Sequence, residues 1–217
     1  MRALIAIAAW VVMPGLAAAQ TPPAALAAND VGIALGWSGA EHNIHDIHDS
    51  RRWHGSLLAG VSAGHYWTDH LKTELDVSWS RPRDREIYET LERQGGFTYA
   101  LSDYRAHDVR LGIVQVFQFG RNAWVHPYVG VGADVVRRQA TLTRDRQTRV
   151  IYLQNRTVPV EIPPSIERDT TTFAEAVLKT GLKMYATEQL FFNTELKAGI
   201  RGEVDHVVWK FGMGFDF

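Results

Sequence analysis

Cysteine is absent from all 217 residues, which excludes a disulfide framework. Stability must then come from a large core or from a closed sheet. Charge of one sign is missing as well. Lys and Arg number 23 against 24 Asp and Glu, and the formal net charge of −1 excludes a strongly basic nucleic-acid-binding surface. Long apolar runs are lacking beyond the N-terminus. None approaches the ~18 residues that a spanning helix needs, and mean hydropathy is only −0.17. A β-barrel crosses a bilayer with such an average, because only every second residue of a strand meets lipid.

The one apolar run opens the chain. Arg2 is followed by an apolar stretch over 3–12, then Pro14-Gly15 and Ala17-Ala18-Ala19 before Gln20. This order of basic, apolar and small residues predicts a signal peptide over 1–19 and export of the remainder. Residues 20–29 are rich in Pro and Ala and read as a linker, leaving 30–217 as one domain.

What the domain does contain is a period of two. In 206–217, Val207, Trp209, Phe211, Met213, Phe215 and Phe217 alternate with His206, Val208, Lys210, Gly212, Gly214 and Asp216. In 71–80, Leu71, Thr73, Leu75, Val77 and Trp79 alternate with Lys72, Glu74, Asp76 and Ser78. Such alternation predicts strands with two unlike faces. Similar stretches occupy 30–38, 53–67, 104–119, 124–138, 170–185 and 190–201. Gln115 interrupts the apolar face of its stretch, which predicts a bulge there. Short turns at 68–70, 120–123 and 186–189 alternate with longer loops at 41–52, 81–103 and 139–169, and a short hairpin at 202–205 precedes the last strand. Within the longest loop, 150–153 and 158–162 are apolar enough to extend a hairpin. The fold class expected is all-β: an eight-stranded antiparallel up-and-down transmembrane β-barrel.

Three features orient the faces. The polar face carries most strand glycines, among them Gly32, Gly60, Gly112, Gly130, Gly132, Gly181, Gly199 and Gly212, as a narrow lumen requires. That face also mixes both signs of charge: Lys72, Glu74, Asp76, Arg110, Asp134, Glu175, Lys179, Lys183, Glu195, Lys197, Arg201 and Lys210. These predict a lumen ion-pair network that fills the interior. Aromatic residues gather near strand ends (Trp37, Trp53, Trp67, Trp79, Tyr104, Phe119, Trp124, Tyr185, Phe192, Trp209 and Phe217), which predicts two interfacial girdles. The alternative is a secreted lipocalin-like binding barrel, with its apolar face inward. A small passive pore is a further alternative.

Two loops carry candidate ligands. His42, His45 and His48, with Glu41, Asp46 and Asp49 beside them, have side-chain types that bind divalent metals. Arg144, Arg146, Arg149 and Arg156, with Arg137 and Arg138 just before them, suit bidentate pairing with phosphates.

The strings HPYVGVGADV (126–135), TDHLKTELDVSW (68–79), ATEQLFFNTELKAGIR (186–201) and the terminal WKFGMGFDF resemble the small outer-membrane β-barrel proteins of the OmpA/OmpX type, in the porin family. The resemblance covers the whole domain but stops short of the peptidoglycan-binding domain that follows the barrel in some members. It implies a place in the cell outer membrane of a Gram-negative envelope, among outer-membrane lipid and lipopolysaccharide. It implies insertion by the barrel assembly machinery, with Phe215 and Phe217 as the terminal signal. No cofactor is expected, and the expected role is structural or adhesive, toward an extracellular partner, rather than enzymatic. Some barrels of this kind modify lipid A with a His and a Ser at the outer edge. The matching alternative here is His107 and Ser102, beside Asp103 and Asp108.

Overall fold

The computed structural model describes residues 27–41, 53–81, 85–93, 96–119, 124–153 and 156–217. The expected signal peptide, most of the linker and the three loop histidines His42, His45 and His48 lie outside the described residues. Eight strands form the barrel: β1 (Asn29–Glu41), β2 (Trp53–Tyr66), β3 (Leu71–Ser80), β5 (Gly96–Gln118), β6 (Val125–Arg144), β9 (Ser165–Tyr185), β10 (Leu190–Arg201) and β11 (Glu203–Asp216). Three more lie at the end remote from the short turns: β4 (Arg85–Arg93), β7 (Gln147–Leu153) and β8 (Arg156–Ile162). Neighbours run β3-β2-β1-β11-β10-β9-β6-β5, and a β3–β5 pairing closes the circuit. All pairings are antiparallel. Closure leaves the barrel wall without an edge, so its backbone groups are satisfied in hydrocarbon.

The side-chain faces decide the orientation. Leu35 is 71% exposed and Leu75 53%, whereas Lys72 is 7% and Asp76 2% exposed. Apolar residues point out and ionised ones in. This overturns the lipocalin-like alternative, in which the apolar face would fill the interior. Trp37, Trp79 and Trp209 are exposed toward one rim, and Trp67, Phe119, Trp124 and Phe217 toward the other. Tyr185 departs from the expected girdle. It shares the inward parity of Lys183, and its hydroxyl donates to Asp216.

The strands outrun their apolar alternation. Residues 81–103, expected as a loop, hold β4 and the outward extension of β5, paired from Arg85↔Tyr104 to Arg93↔Gly96. Residues 139–169 continue β6 and begin β9, paired as far as Arg144↔Ser165. Between them β7 and β8 make the hairpin expected from 150–153 and 158–162. Above the membrane neither strand face meets lipid, so the hydropathic period that marks a strand is lost while backbone pairing continues. Gln147 docks this hairpin: its Oε1 accepts from Leu101 N at 2.9 Å, and its Nε2 donates to Leu101 O. Ala100, Ile151 and Ile162, all fully buried, form apolar core in this projecting layer.

No bulge occurs at Gln115; the β3–β5 and β5–β6 registers run through it unbroken. The outward polar side chain is satisfied instead. Thr73 Oγ1 donates to its Oε1 at 2.9 Å, and its Nε2 donates to Lys72 O at 3.1 Å. The register shift lies between Gly199 and Ile200, next to the hairpin at Gly202, whose φ of 87° is a left-handed conformation suited to glycine.

Candidate functional site: the charged lumen and its outer mouth

Period-two folding sends alternate residues of eight strands into a narrow interior that side chains fill. Glycines make the room. A Cβ on Gly112 would run into Asp134, Asp76 and Lys197. The charges admitted there order themselves into one alternating chain. From the short-turn end it begins with Asp216, 2.6 Å from Lys183, which lies 3.0 Å from Asp30. Asp30 is 2.9 Å from Lys72, and Lys72 is 2.8 Å from Glu74. Glu74 meets Lys179, which reaches Glu195 at 2.6 Å. Glu195 lies 3.2 Å from Lys210, which is 2.9 Å from Asp76. Lys197 then spans Asp76 at 3.1 Å and Asp134 at 2.7 Å.

Each lysine thus lies between two carboxylates. An isolated ion in such surroundings costs several kcal/mol, on the order found for buried charges, and the pairing offsets this. Neutral donors complete the set. Tyr66 shares its one hydroxyl proton between Asp30 at 3.1 Å and Gln118 at 3.2 Å, and Tyr128 donates to Glu195 at 3.4 Å. The gap lined by Asp30, Lys72, Glu74, Tyr128, Lys183 and Phe191 amounts to about 20 Å³, room for roughly one water.

Beyond Asp134 the order changes. Glu175 stands directly opposite Asp134 in register, with no lysine between them. Its Oε2 lies 3.1 Å from Nδ1 of His206. Higher still, Asp108 holds two guanidiniums: Arg110 at 2.8 Å and Arg138 at 2.9 and 3.0 Å. Arg138 lies above the apolar band. Burial alone would lower its pKa, but hydrogen bonding and charge from Asp108 outweigh it and the net shift is upward.

Eleven of the twelve lumen residues expected from the sequence are buried inward: Lys72, Glu74, Asp76, Arg110, Asp134, Glu175, Lys179, Lys183, Glu195, Lys197 and Lys210. Arg201 is the exception. It has the inward parity but stands at the end of β10, past the register shift, where the lumen opens; it is exposed, with its guanidinium 4.5 Å over the Phe173 ring. Asp30, Asp108 and His206 belong to the inward set and were missing from it. Their signal was parity alone, since each lies two residues from an inward Gly, Arg or Val. Phe215 and Phe217 face outward, 43% and 57% exposed.

The His107 and Ser102 pair is not brought together. Residues five apart on a strand point to opposite faces and lie roughly 17 Å apart. Ser102 is buried, while His107 meets Gln139 at 2.8 Å. The arginines divide likewise. Arg144 turns in, donating to Ser165 at 3.2 Å, and Arg149 holds Gln147 at 3.1 and 3.3 Å. Arg146 makes a surface pair with Glu161 at 3.4 Å, and Arg137 and Arg156 are exposed.

Two solved structures resemble this architecture. Neisserial surface protein A is 14% identical with a TM-score of 0.51, covering 88% of this chain and 97% of its own. OprG from Pseudomonas aeruginosa is 12% identical with a TM-score of 0.50, again covering 88% and 97%. At such identity the likeness concerns the fold. No curated protein matches the chain. The model of the outer membrane protein beta-barrel domain matches residues 6–217. With its closed circuit, apolar exterior and ionised interior, this chain belongs to the outer membrane protein β-barrel domain family, and its place is the outer membrane.

Proposed function

We propose that the protein is a non-enzymatic barrel, structural or adhesive through its extracellular end, with a lumen sealed by ion pairs. The observation that carries this reading is the alternating chain from Asp216 to Asp134. Its lysines and carboxylates are engaged with one another, which opposes both a water-filled path and a free acid–base pair. The separation of Ser102 from His107 on opposite faces of β5 favours it over lipid modification.

Contact with the outside world is assigned to the projecting strands. Among the described residues β4 pairs only with β5, and β8 only with β7. Each leaves one backbone edge for a strand from a partner. Pro159 interrupts the donors of β8, so β4 is the better template. Exposed Arg105, Arg137 and Arg168 lie outward just above the apolar band. There they suit the phosphates of lipopolysaccharide, which guanidiniums bind bidentately. Phe215 and Phe217 are assigned to recognition by the assembly machinery.

Lipid A from cells with and without the protein is the test. Identical acyl patterns are expected, together with lipopolysaccharide that co-purifies with the barrel and is depleted by Arg105→Gln, Arg137→Gln and Arg168→Gln combined. A change in acylation on deletion would replace this reading with an enzymatic one.

A further inference from the structure

The alternating chain ends on a carboxylate and meets another. Asp134 and Glu175 are direct cross-strand partners on β6 and β9. Like charges so placed repel, and the lysine that separates acids elsewhere in the lumen has no counterpart between them. His206 of β11 completes the group: ligand atoms of Asp134, Glu175 and His206 all lie within 4.8 Å of one another, and all three residues are buried. Three of their polar atoms, Asp134 Oδ2, Glu175 Oε1 and His206 Nε2, have no hydrogen-bond partner among the described residues. Burying such atoms without partners is costly. Gly199 keeps the space clear, because a Cβ there would collide with the His206 ring and Glu175 Oε2.

We propose that Asp134, Glu175 and His206 form a binding site for a divalent first-row transition ion, which takes the place of the next lysine in the chain. One imidazole and two carboxylates suit Zn²⁺ and its neighbours, and the imidazole disfavours Ca²⁺ and Mg²⁺. Ligands to Zn²⁺ lie at ~2.1 Å at tetrahedral angles, so two of them are about 3.4 Å apart. The 3.1 Å between His206 Nδ1 and Glu175 Oε2 is within about 0.3 Å of such an edge. The ligand atoms of the three residues, already within 4.8 Å of one another, draw together to that spacing on binding. Lys197, at 2.7 Å from Asp134 Oδ1, competes with the ion for that carboxylate but leaves Oδ2 available. A bound ion would lock β6, β9 and β11 together near the outer mouth.

The test uses the full-length mature barrel, folded in detergent, stripped with EDTA and then given Zn²⁺ or Co²⁺ alone. His42, His45 and His48 are replaced by alanine throughout, which removes the imidazoles of the 41–52 loop. Expected results are a rise of several degrees in unfolding temperature with Zn²⁺, none with Ca²⁺, and a Co²⁺ absorption band that survives gel filtration. Glu175→Gln and His206→Gln should weaken Zn²⁺ binding at least tenfold while keeping the heat-modifiable gel shift of a folded barrel. Lys197→Met should bind more tightly. Equal Zn²⁺ affinity in the parent and His206→Gln overturns the proposal. If neither variant folds, the parent decides alone: Co²⁺ that washes off without a visible band also overturns it.

Discussion

Asn29 and Phe217 exchange two backbone hydrogen bonds, Asn29 N donating to Phe217 O at 3.0 Å and Phe217 N to Asn29 O at 2.9 Å. The first and last strands of the barrel are thereby joined at one point, and the seam continues through Val31↔Phe215 and Trp37↔Trp209 to Ala40↔His206. Only backbone atoms make these bonds. Side-chain identity at Phe217 is therefore separable from closure.

That separation is testable. Phe217→Ala keeps both hydrogen bonds and loses only an aromatic ring at the lipid face. The purified variant should refold in detergent with stability within about 1 kcal/mol of the parent, as a half-exposed side chain allows. In cells its assembled fraction should fall several-fold if Phe217 is read as an insertion signal. Normal assembly, scored as heat-modifiable protein in outer-membrane fractions, would remove that role.

The lumen makes a stronger demand than the lipid face. Glu74→Ala strands charge on Lys72 and Lys179, and Glu195→Ala on Lys179 and Lys210. Breaking one partner of a buried pair costs roughly 3–5 kcal/mol. Leu75→Ala, on an outward side chain, should cost under roughly 1.5 kcal/mol. Urea titration with the semi-native gel shift as readout should rank both glutamate variants well below Leu75→Ala. Equal midpoints for all three would count against the ladder as a stabilising network.

A filled interior should not conduct. Reconstituted in planar bilayers, the parent barrel should show no steady current steps. Persistent steps that disappear on changing Lys72 or Glu74 would mean that ions cross among the very residues assigned to the seal.

Topology has its own check. Arg146 is exposed between β6 and β7, at the end opposite the short turns at 67–70 and 186–189. Trypsin added to intact cells should cut after Arg146 and leave the paired strands intact. An epitope placed within 186–189 should stay hidden until the outer membrane is opened. Labelling of that epitope on intact cells would invert the assigned orientation.

Most of the barrel wall was legible in the sequence because a strand's two-residue period is local. Leu71 to Ser80 declares its faces without help from any other segment, and so does the stretch from His206 to Phe217. Glycine on the charged face further told inside from outside, since only a narrow lumen needs that much empty volume. The outer extensions were hidden for the complementary reason. Around Arg105, Thr141 and Arg168 neither side of the sheet faces hydrocarbon, so backbone pairing continues with no hydropathic mark.

Partner choice came from the tertiary structure alone. Alternation places Lys197 and Asp134 inside, but their 2.7 Å contact joins residues 63 apart in the chain and depends on how far each strand slides past its neighbours on closing. The same sliding carries Arg201 beyond the buried lumen charges to rest over Phe173 and sets Glu175 opposite Asp134 beside His206. Inward or outward is decided by the covalent geometry of successive residues; which inward charge meets which is decided by the tilt and stagger of a closed wall, which no single segment contains.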